Sequence, residues 1–168
     1  MRYFFDTEFW DTGERIYLIS IGIAAEDGRT YYREVFLGQI PRIPPGHWLT
    51  TNVIPHLSGG AIRRLREDIA REVVEFVGDR PEFWAYVADY DWIALSQLYG
   101  PLVNRPKRWP WTALDAYQLP DFKKYVTKDA MRPDHHALAD AANLRLSWLR
   151  WREAFPDYPL PEFRSPRE

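Results

Sequence analysis

Three strand patterns follow one another in the first forty residues, and this feature most constrains the fold. Residues 3–5 are aromatic, residues 16–25 (IYLISIGIAA) are rich in branched apolar side chains, and residues 30–37 (TYYREVFL) have a similar composition. An Asp-Gly turn signal at residues 27–28 lies between the second and third segments. The chain is therefore predicted to begin with a three-stranded antiparallel meander.

Helical patterns dominate the rest of the chain and enclose two further strand patterns. Residues 62–77 place apolar side chains three and four positions apart, which predicts an amphipathic helix. Within the proline-rich segment that precedes it, a short helix is compatible with the apolar residues Trp48, Leu49, Val53 and Leu57. Beyond it we expect a buried strand at 82–87, a helix at 90–99, a strand at 111–117 and a long helix at 136–155.

This order of elements predicts an α/β fold with a mixed sheet, in which the first three strands are antiparallel and helices flank the sheet. A doubly wound dinucleotide-binding fold is excluded because no glycine-rich turn follows the first strand. The length of 168 residues fits a single domain. We place that domain at residues 1–155, followed by a proline-rich C-terminal tail at residues 156–168.

The composition excludes several kinds of function. The chain has no cysteine, which excludes a disulfide scaffold, a cysteine-based zinc site and a thiol nucleophile. Its 22 basic and 24 acidic residues give a net charge of −2, which argues against a protein that grips nucleic acid by bulk positive charge. No apolar stretch is long enough to span a membrane, and the opening residues lack the core of a secretory signal, so we expect a cytoplasmic protein.

Two carboxylates follow the first aromatic run. Asp6 and Glu8 are two residues apart, so in a strand their side chains point the same way. We expect them at the end of the first strand, where two close negative charges would favour a divalent cation between them. A solvated strand end is the alternative for an isolated pair of this kind.

A second acidic motif opens the helix after the buried strand. Asp89 is expected to cap the N-terminus of that helix, and Asp91 lies where the helix dipole favours an acid. Both residues therefore have a structural explanation. If one of them is a metal ligand, Asp91 is the stronger candidate and Asp89 is the alternative.

The third motif precedes the last long helix. His135 and Asp140 are five residues apart, which is about 140° around a helix, so they cannot share one helical face. If both serve one site, His135 must lie on the loop before the helix while Asp140 points inward from its first turns. A histidine beside acidic ligands suits a general base, because its usual pKa of about 6.5 lets it accept a proton near neutral pH.

Together, Asp6-x-Glu8, Tyr90-Asp91 and His135-x-Ala137-Leu138-x-Asp140 resemble the motifs of the DEDDh 3′–5′ exonucleases. Each motif alone is weak, but their order and the five-residue step from histidine to aspartate make the combination specific. The chain length, the Phe-Asp-Thr-Glu-Phe opening and the tryptophan-rich middle look closest to RNase AS, a bacterial group of adenylate-preferring 3′–5′ exoribonucleases. The resemblance implies an RNase H-like fold.

The resemblance also implies a function for each motif. Asp6, Glu8, Asp91 and Asp140 would bind two Mg²⁺ ions, or Mn²⁺ in their place, and His135 would act as the general base. The expected reaction is hydrolysis of RNA from a free 3′ end to 5′-mononucleotides. A homodimer is implied by the resemblance alone.

Two aromatic residues follow the first acidic motif. Phe9 and Trp10 directly follow Glu8, where a terminal base could stack on them, although we expect at least one of them to belong to the core.

The first rival function is a DEDDh exonuclease that acts on DNA. The second is a non-catalytic nucleic-acid-binding module on the same fold, which would be marked by the loss of one or more metal ligands.

Overall fold

The computed structural model describes residues 1–126 and 135–161, and these residues form one mixed β-sheet with the strand order β4-β3-β2-β1-β5-β6. The strands are β1 (Arg2–Asp11), β2 (Ile16–Ala25), β3 (Thr30–Val35), β4 (Arg63–Arg64), β5 (Glu82–Ala85) and β6 (Leu114–Asp115). The first three strands pair antiparallel, whereas β4, β5 and β6 join parallel to their neighbours. The predicted α/β fold with an antiparallel start is therefore confirmed.

Helices cover both faces of the sheet: α1 (Trp48–Asn52), α2 (Arg66–Val77), α3 (Asp89–Ser96) and α4 (Ala137–Ala154). Successive side chains of a strand point to opposite faces, so β1 contributes to both layers. Tyr3 and Phe5 lie in a buried cluster with α2, while Phe4 lies in a second cluster with α4. None of the helices in the described part of the chain is both long and apolar enough to cross a bilayer.

The prediction that Asp6 and Glu8 lie at the end of the first strand was wrong. β1 continues to Asp11, because its last three residues pair with residues 16–18 of β2. The register shifts between Glu8 and Phe9, where β2 contributes one extra residue as a bulge. The two carboxylates therefore lie within β1, where the strand pairs with β2; its pairing with β5 covers only Arg2, Tyr3 and Phe4.

Two other boundaries differ because backbone pairing and conformation override the side-chain pattern. Helix α2 begins at Arg66 rather than residue 62, since Arg63–Arg64 pair with β3 as the short strand β4. β5 ends at Ala85 rather than residue 87, and Val87 has a left-handed backbone, with φ of +58°, that cannot continue a strand.

The remaining elements agree more closely with the sequence patterns. β2 has the predicted bounds, and β3 ends two residues early at Val35. Only Leu114–Asp115 of the strand predicted at 111–117 is extended, because residues 116–118 form a 3₁₀ turn. The predicted short helix, the helix after β5 and the long final helix are confirmed as α1, α3 and α4.

The C-terminal segment continues to contact the fold beyond α4. Tyr158 and Leu160 pack against the cluster that contains α4, and the rings of Tyr158 and Trp151 meet edge to face at a centroid distance of 5.3 Å. Residues 162–168 of the predicted tail lie outside the described residues. The division into a domain at 1–155 and a tail at 156–168 stays a prediction.

Candidate active site

Three predicted ligands converge on the α4 face of β1. Asp6 and Glu8 follow Phe4 at intervals of two residues, so they extend from the same face of the strand as this core residue. Asp140 lies in the first turn of α4 and faces them. Asp6, Glu8 and Asp140 each place a carboxylate oxygen within 4.8 Å of the other two.

A single glycine allows α4 to reach this position. Gly22 of β2 lies directly beside Asp6 in the sheet. A Cβ atom at Gly22 would lie 2.3 Å from both the carbonyl carbon of Ala137 and the amide nitrogen of Leu138, closer than atoms can approach. The first turn of α4 therefore rests directly on the backbone of β2, which brings Asp140 against Asp6.

Asp91 joins the site from the other side of β1. It is buried at the start of α3, and its Oδ1 accepts hydrogen bonds from the backbone N–H of Thr7 at 2.8 Å and from the Thr7 hydroxyl at 2.6 Å. Both bonds go to Oδ1, so Oδ2 is the oxygen that Asp91 would offer to a cation. Asp89 is exposed and is the first helical residue, so its predicted capping role was wrong; Ala88 occupies the cap position.

Burial and the three neighbouring carboxylates raise the proton affinity of Asp6. Burial raises the pKa of Asp6 well above its usual range, and the negative charges of Asp91, Asp140 and Glu8 raise it further. Burial also raises the pKa of Asp91 to about 6, although the two bonds from Thr7 oppose this shift. The charges of Asp91, Asp140 and Glu8 thus all act on Asp6.

The donor set fits a hard divalent cation. Mg²⁺ and Mn²⁺ prefer carboxylate oxygens, and a cation would compensate the repulsion that adds to burial in raising the pKa of Asp6. Among the described residues, the compact group of ligand atoms consists of Asp6, Glu8 and Asp140 and includes no histidine or cysteine. The site is therefore chemically suited to oxygen-ligated divalent metal.

The two adjacent histidines have different surroundings. His136 is the N-cap of α4: its Nδ1 accepts a hydrogen bond from the Ala139 N–H at 3.4 Å, and its ring stacks on Tyr32 at 4.4 Å. His135 precedes the cap and has a left-handed backbone, with φ of +45°. Its ring lies against Trp48, with 4.6 Å between the ring centroids. His135 is therefore on the loop before the helix, as its spacing from Asp140 predicts.

Comparison with known proteins shows the family to which the chain belongs. The model of a family described as the 3′–5′ exoribonuclease Rv2179c-like domain matches residues 1–150. The chain belongs to this family. Two Mycobacterium tuberculosis proteins, 3′–5′ exoribonuclease Rv2179c and 3′–5′ exoribonuclease MT2234.1, are each 38% identical to it over 148 residues. The aligned part covers 84% of this chain and 87% of each relative.

The matched range of the Rv2179c-like family contains every predicted site residue, including the two aromatic candidates. Phe9 is half-buried, and its ring stacks parallel to that of the exposed Tyr90, with 5.5 Å between centroids. Trp10 is also half-buried, but it packs against the buried residues Leu49 and Val53. Phe9 thus forms a partly exposed aromatic pair with Tyr90, whereas the Trp10 ring is partly buried by packing against α1.

Three residues of this family member were not singled out for the site from the sequence alone. Gly22 interrupts a strand of branched apolar residues, and such a glycine often marks the close approach of another backbone. Leu49 and Val53 are four residues apart and so share a helical face, whereas Trp48 does not have this spacing from either of them. This indicates that Trp48 lies off their buried face. Thr7 carries no comparable signal, because its contact with α3 depends on tertiary packing.

Proposed function

We propose that this protein is a metal-dependent 3′–5′ exoribonuclease of the DEDDh type, which releases 5′-mononucleotides from the 3′ end of RNA. The observation that carries the proposal is the meeting of Asp6, Glu8 and Asp140 with Asp91 beside Asp6, in a chain that belongs to the Rv2179c-like family. The names of the two relatives support RNA as the substrate.

Four carboxylates would hold two divalent cations in this site. Asp6, Glu8 and Asp140 have oxygens that lie within 4.8 Å of one another. Asp91 would offer its Oδ2, because both bonds from Thr7 go to its Oδ1. When bound, such a pair of cations supplies Lewis-acid activation of the attacking water and neutralises charge on the scissile phosphate. The sheet holds Asp6 and Glu8 in place, so little rearrangement of these ligands is needed.

His135 is the general base of the proposed reaction. One nitrogen of its imidazole accepts a proton from the attacking water, and the ring later releases that proton to solvent. The phosphodiester bond to the leaving 3′ oxygen breaks as the new bond to the water oxygen forms, and the leaving oxygen takes up a proton from solvent to become a 3′-hydroxyl. The position of His135 before the N-cap of α4 keeps its ring off the helix while Asp140 points into the site.

Aromatic residues beside the site are suited to contact the terminal nucleotide. We assign base stacking first to Phe9, which lies one residue after Glu8 and stacks against the exposed Tyr90. Trp10 is the second candidate. The preference for adenylate and the homodimer follow only from the resemblance to RNase AS, and sedimentation velocity together with activity on the four RNA homopolymers tests them.

The rival functions make different demands on the site. A non-catalytic binding module would lack one or more of the ligands, whereas all four carboxylates and His135 are present here. An exonuclease acting on DNA would use the same carboxylates, so the preference for RNA is supported by the relatives and not by the geometry.

The test uses single-stranded RNA and DNA of the same sequence, labelled at the 5′ end and incubated with Mg²⁺ or with chelator. The proposal predicts a ladder of RNA products that shorten one nucleotide at a time, release of 5′-mononucleotides, and no reaction with chelator. An RNA blocked at its 3′ end with a phosphate is the control for direction. Cleavage that is insensitive to chelator, or that begins inside the chain, would contradict the proposal.

A further inference from the structure

We propose that Trp48 is a positioning residue that holds the imidazole of His135 in its working orientation. The inference rests on the proposed function, because it concerns the histidine that we assign as the general base. It starts from an unusual backbone: His135 has φ of +45°, in the left-handed region that residues with a Cβ seldom occupy. A residue in such a conformation persists only where its surroundings fix it.

The Trp48 ring supplies one of the contacts that fix His135. The two ring planes meet at 80° with their centroids 4.6 Å apart, which is the edge-to-face arrangement that aromatic pairs prefer. The contact joins α1 to the residue just before the N-cap of α4, so it links two segments far apart in sequence. An imidazole held on one side by an indole has fewer orientations available than one on an open loop.

Helix α1 is a firm support for this contact. Leu49 and Val53 are buried with Ile19 of β2, and the His47 side chain caps the helix by accepting a hydrogen bond from the Leu49 N–H at 3.2 Å. Trp48 itself is 53% exposed, so the large indole is not needed to fill this core. Its position is instead set by α1, whose other side chains hold the helix against the sheet.

The segment after α1 is anchored to the same sheet. Glu34 of β3 is fully buried, and its carboxylate accepts hydrogen bonds from the backbone N–H groups of Ser58 and Gly59. The segment that carries Trp48 is thus attached to the sheet twice: by the packing of α1 itself, and by the hydrogen bonds of the residues that follow α1. A general base must lie within hydrogen-bond reach of the proton it removes, and a supported indole restricts the ring to that reach.

The first experiment compares Trp48→Ala and Trp48→Phe with Trp111→Ala in the full-length protein, using steady-state kinetics on an RNA oligonucleotide with Mg²⁺. Trp111 is the matched control because it is 49% exposed and its ring packs on Arg105 rather than on the site. We expect Trp48→Ala to lower kcat roughly 10- to 100-fold with KM within about twofold, as misplacement of a reacting group does. Trp48→Phe should restore most of kcat, and Trp111→Ala should match the unmodified protein.

The second experiment asks whether Trp48 acts through His135. If it does, Trp48→Ala has no further effect on kcat in a His135→Ala background. General damage to the fold would instead lower kcat by the same factor in the unmodified and the His135→Ala backgrounds. The Hε1 resonance of His135, assigned by its loss in His135→Ala, should shift in Trp48→Ala and return towards its original position in Trp48→Phe.

These readouts separate the positioning role from the proposed function. Full activity of His135→Ala would overturn the general base, and with it the working orientation that we assign to Trp48. If His135→Ala is inactive, an unchanged His135 resonance in Trp48→Ala overturns the positioning role and leaves the base in place. A higher KM with unchanged kcat in Trp48→Ala would also overturn the positioning role, because Trp48 would then bind RNA directly.

Discussion

The two halves of the candidate site are built differently. Asp6 and Glu8 extend from a strand that pairs with β2 along this stretch, and Asp91 is tied to that strand by two hydrogen bonds from Thr7. His135 and Asp140 instead depend on where α4 begins. That half is held by the contact of α4 with Gly22, by the His136 cap and by the Trp48 ring.

The difference separates two tasks of the proposed enzyme. The sheet half gathers negative charge in one place, and burial together with the neighbouring carboxylates raises the pKa of Asp6 there. The helix half adds one more ligand and the proposed base on a segment with fewer anchors. We therefore expect loss of Asp6 from the sheet half to abolish metal binding, and loss of His135 from the helix half to impair turnover while metal binding survives.

The largest effect is expected from Asp6→Asn in the sheet half. The variant should lose roughly 10³-fold or more in kcat, and Mg²⁺ should no longer raise its melting temperature. Without metal the variant should melt at a higher temperature than the unmodified protein at pH 7, because it lacks a charge that burial and three carboxylates disfavour. Asp11→Asn, an exposed change on the same strand, is the control. A normal Mg²⁺-dependent rise in the melting temperature of Asp6→Asn would contradict the metal site.

His135→Ala tests the helix half. General bases contribute about 10²- to 10⁴-fold, so kcat should fall by a factor in that range while the Mg²⁺-dependent rise in melting temperature persists. His136→Asn is the matched control, because asparagine is a good N-cap and can accept the same bond from Ala139. The assignment of the two histidines fails if His136→Asn loses more activity than His135→Ala.

Gly22→Ala should disturb the junction between the two halves. The added methyl would collide with the backbone of α4, so we expect a loss of about 1–3 kcal/mol in unfolding free energy. Displacement of Asp140 and His135 should also lower kcat roughly 10- to 100-fold. The control is Gly13→Ala, where φ of +80° strains an alanine but no atom lies within 4 Å of the new Cβ. Equal activity of the two variants would show that α4 does not need this contact.

The smallest effect concerns pH and Asp91. In the folded chain the pKa of Asp91 is raised to about 6, so the folded state binds this proton more tightly than the unfolded state, whose usual pKa is about 3.9. In the metal-free protein, protonated Asp91 therefore contributes to the free energy of unfolding. This contribution is present below about pH 4 and is lost as the pH rises through 6.

Asp91→Asn isolates this titration, because the asparagine Oδ1 can still accept both bonds from Thr7. Urea unfolding in chelator should give equal stabilities near pH 4 and a gain for the variant, on the order of 1–3 kcal/mol, above pH 6. Adding Mg²⁺ at pH 7.5 should favour the unmodified protein instead. A difference that does not change with pH would contradict the raised pKa.

The sequence was most informative where chemistry and local spacing act together. Strand alternation predicts that Asp6 and Glu8 point the same way, and the step of five residues predicts that His135 lies before the helix that carries Asp140. Both features are seen. These inferences succeed because they use only the geometry of one element.

The inferences that failed, or were not made, depend on contacts between elements. β1 extends past Glu8 because of its pairing with β2, and α2 starts late because Arg63–Arg64 pair with β3. The bonds from Thr7 to Asp91 and the Trp48 ring against His135 each join segments distant in sequence. No local pattern encodes such partners, so only the folded chain shows them.

In the proposed enzyme, four carboxylates and divalent metal form one catalytic centre. The most direct test is a crystal structure with Mn²⁺ and a 5′-mononucleotide, in which anomalous scattering locates the metal. We predict two Mn²⁺ ions about 3.5–4 Å apart, bound by oxygens of Asp6, Glu8, Asp91 and Asp140, with the phosphate between them and His135. Mn²⁺ bound elsewhere, or a nucleotide held in this site at saturating Mn²⁺ without any metal, would contradict the account.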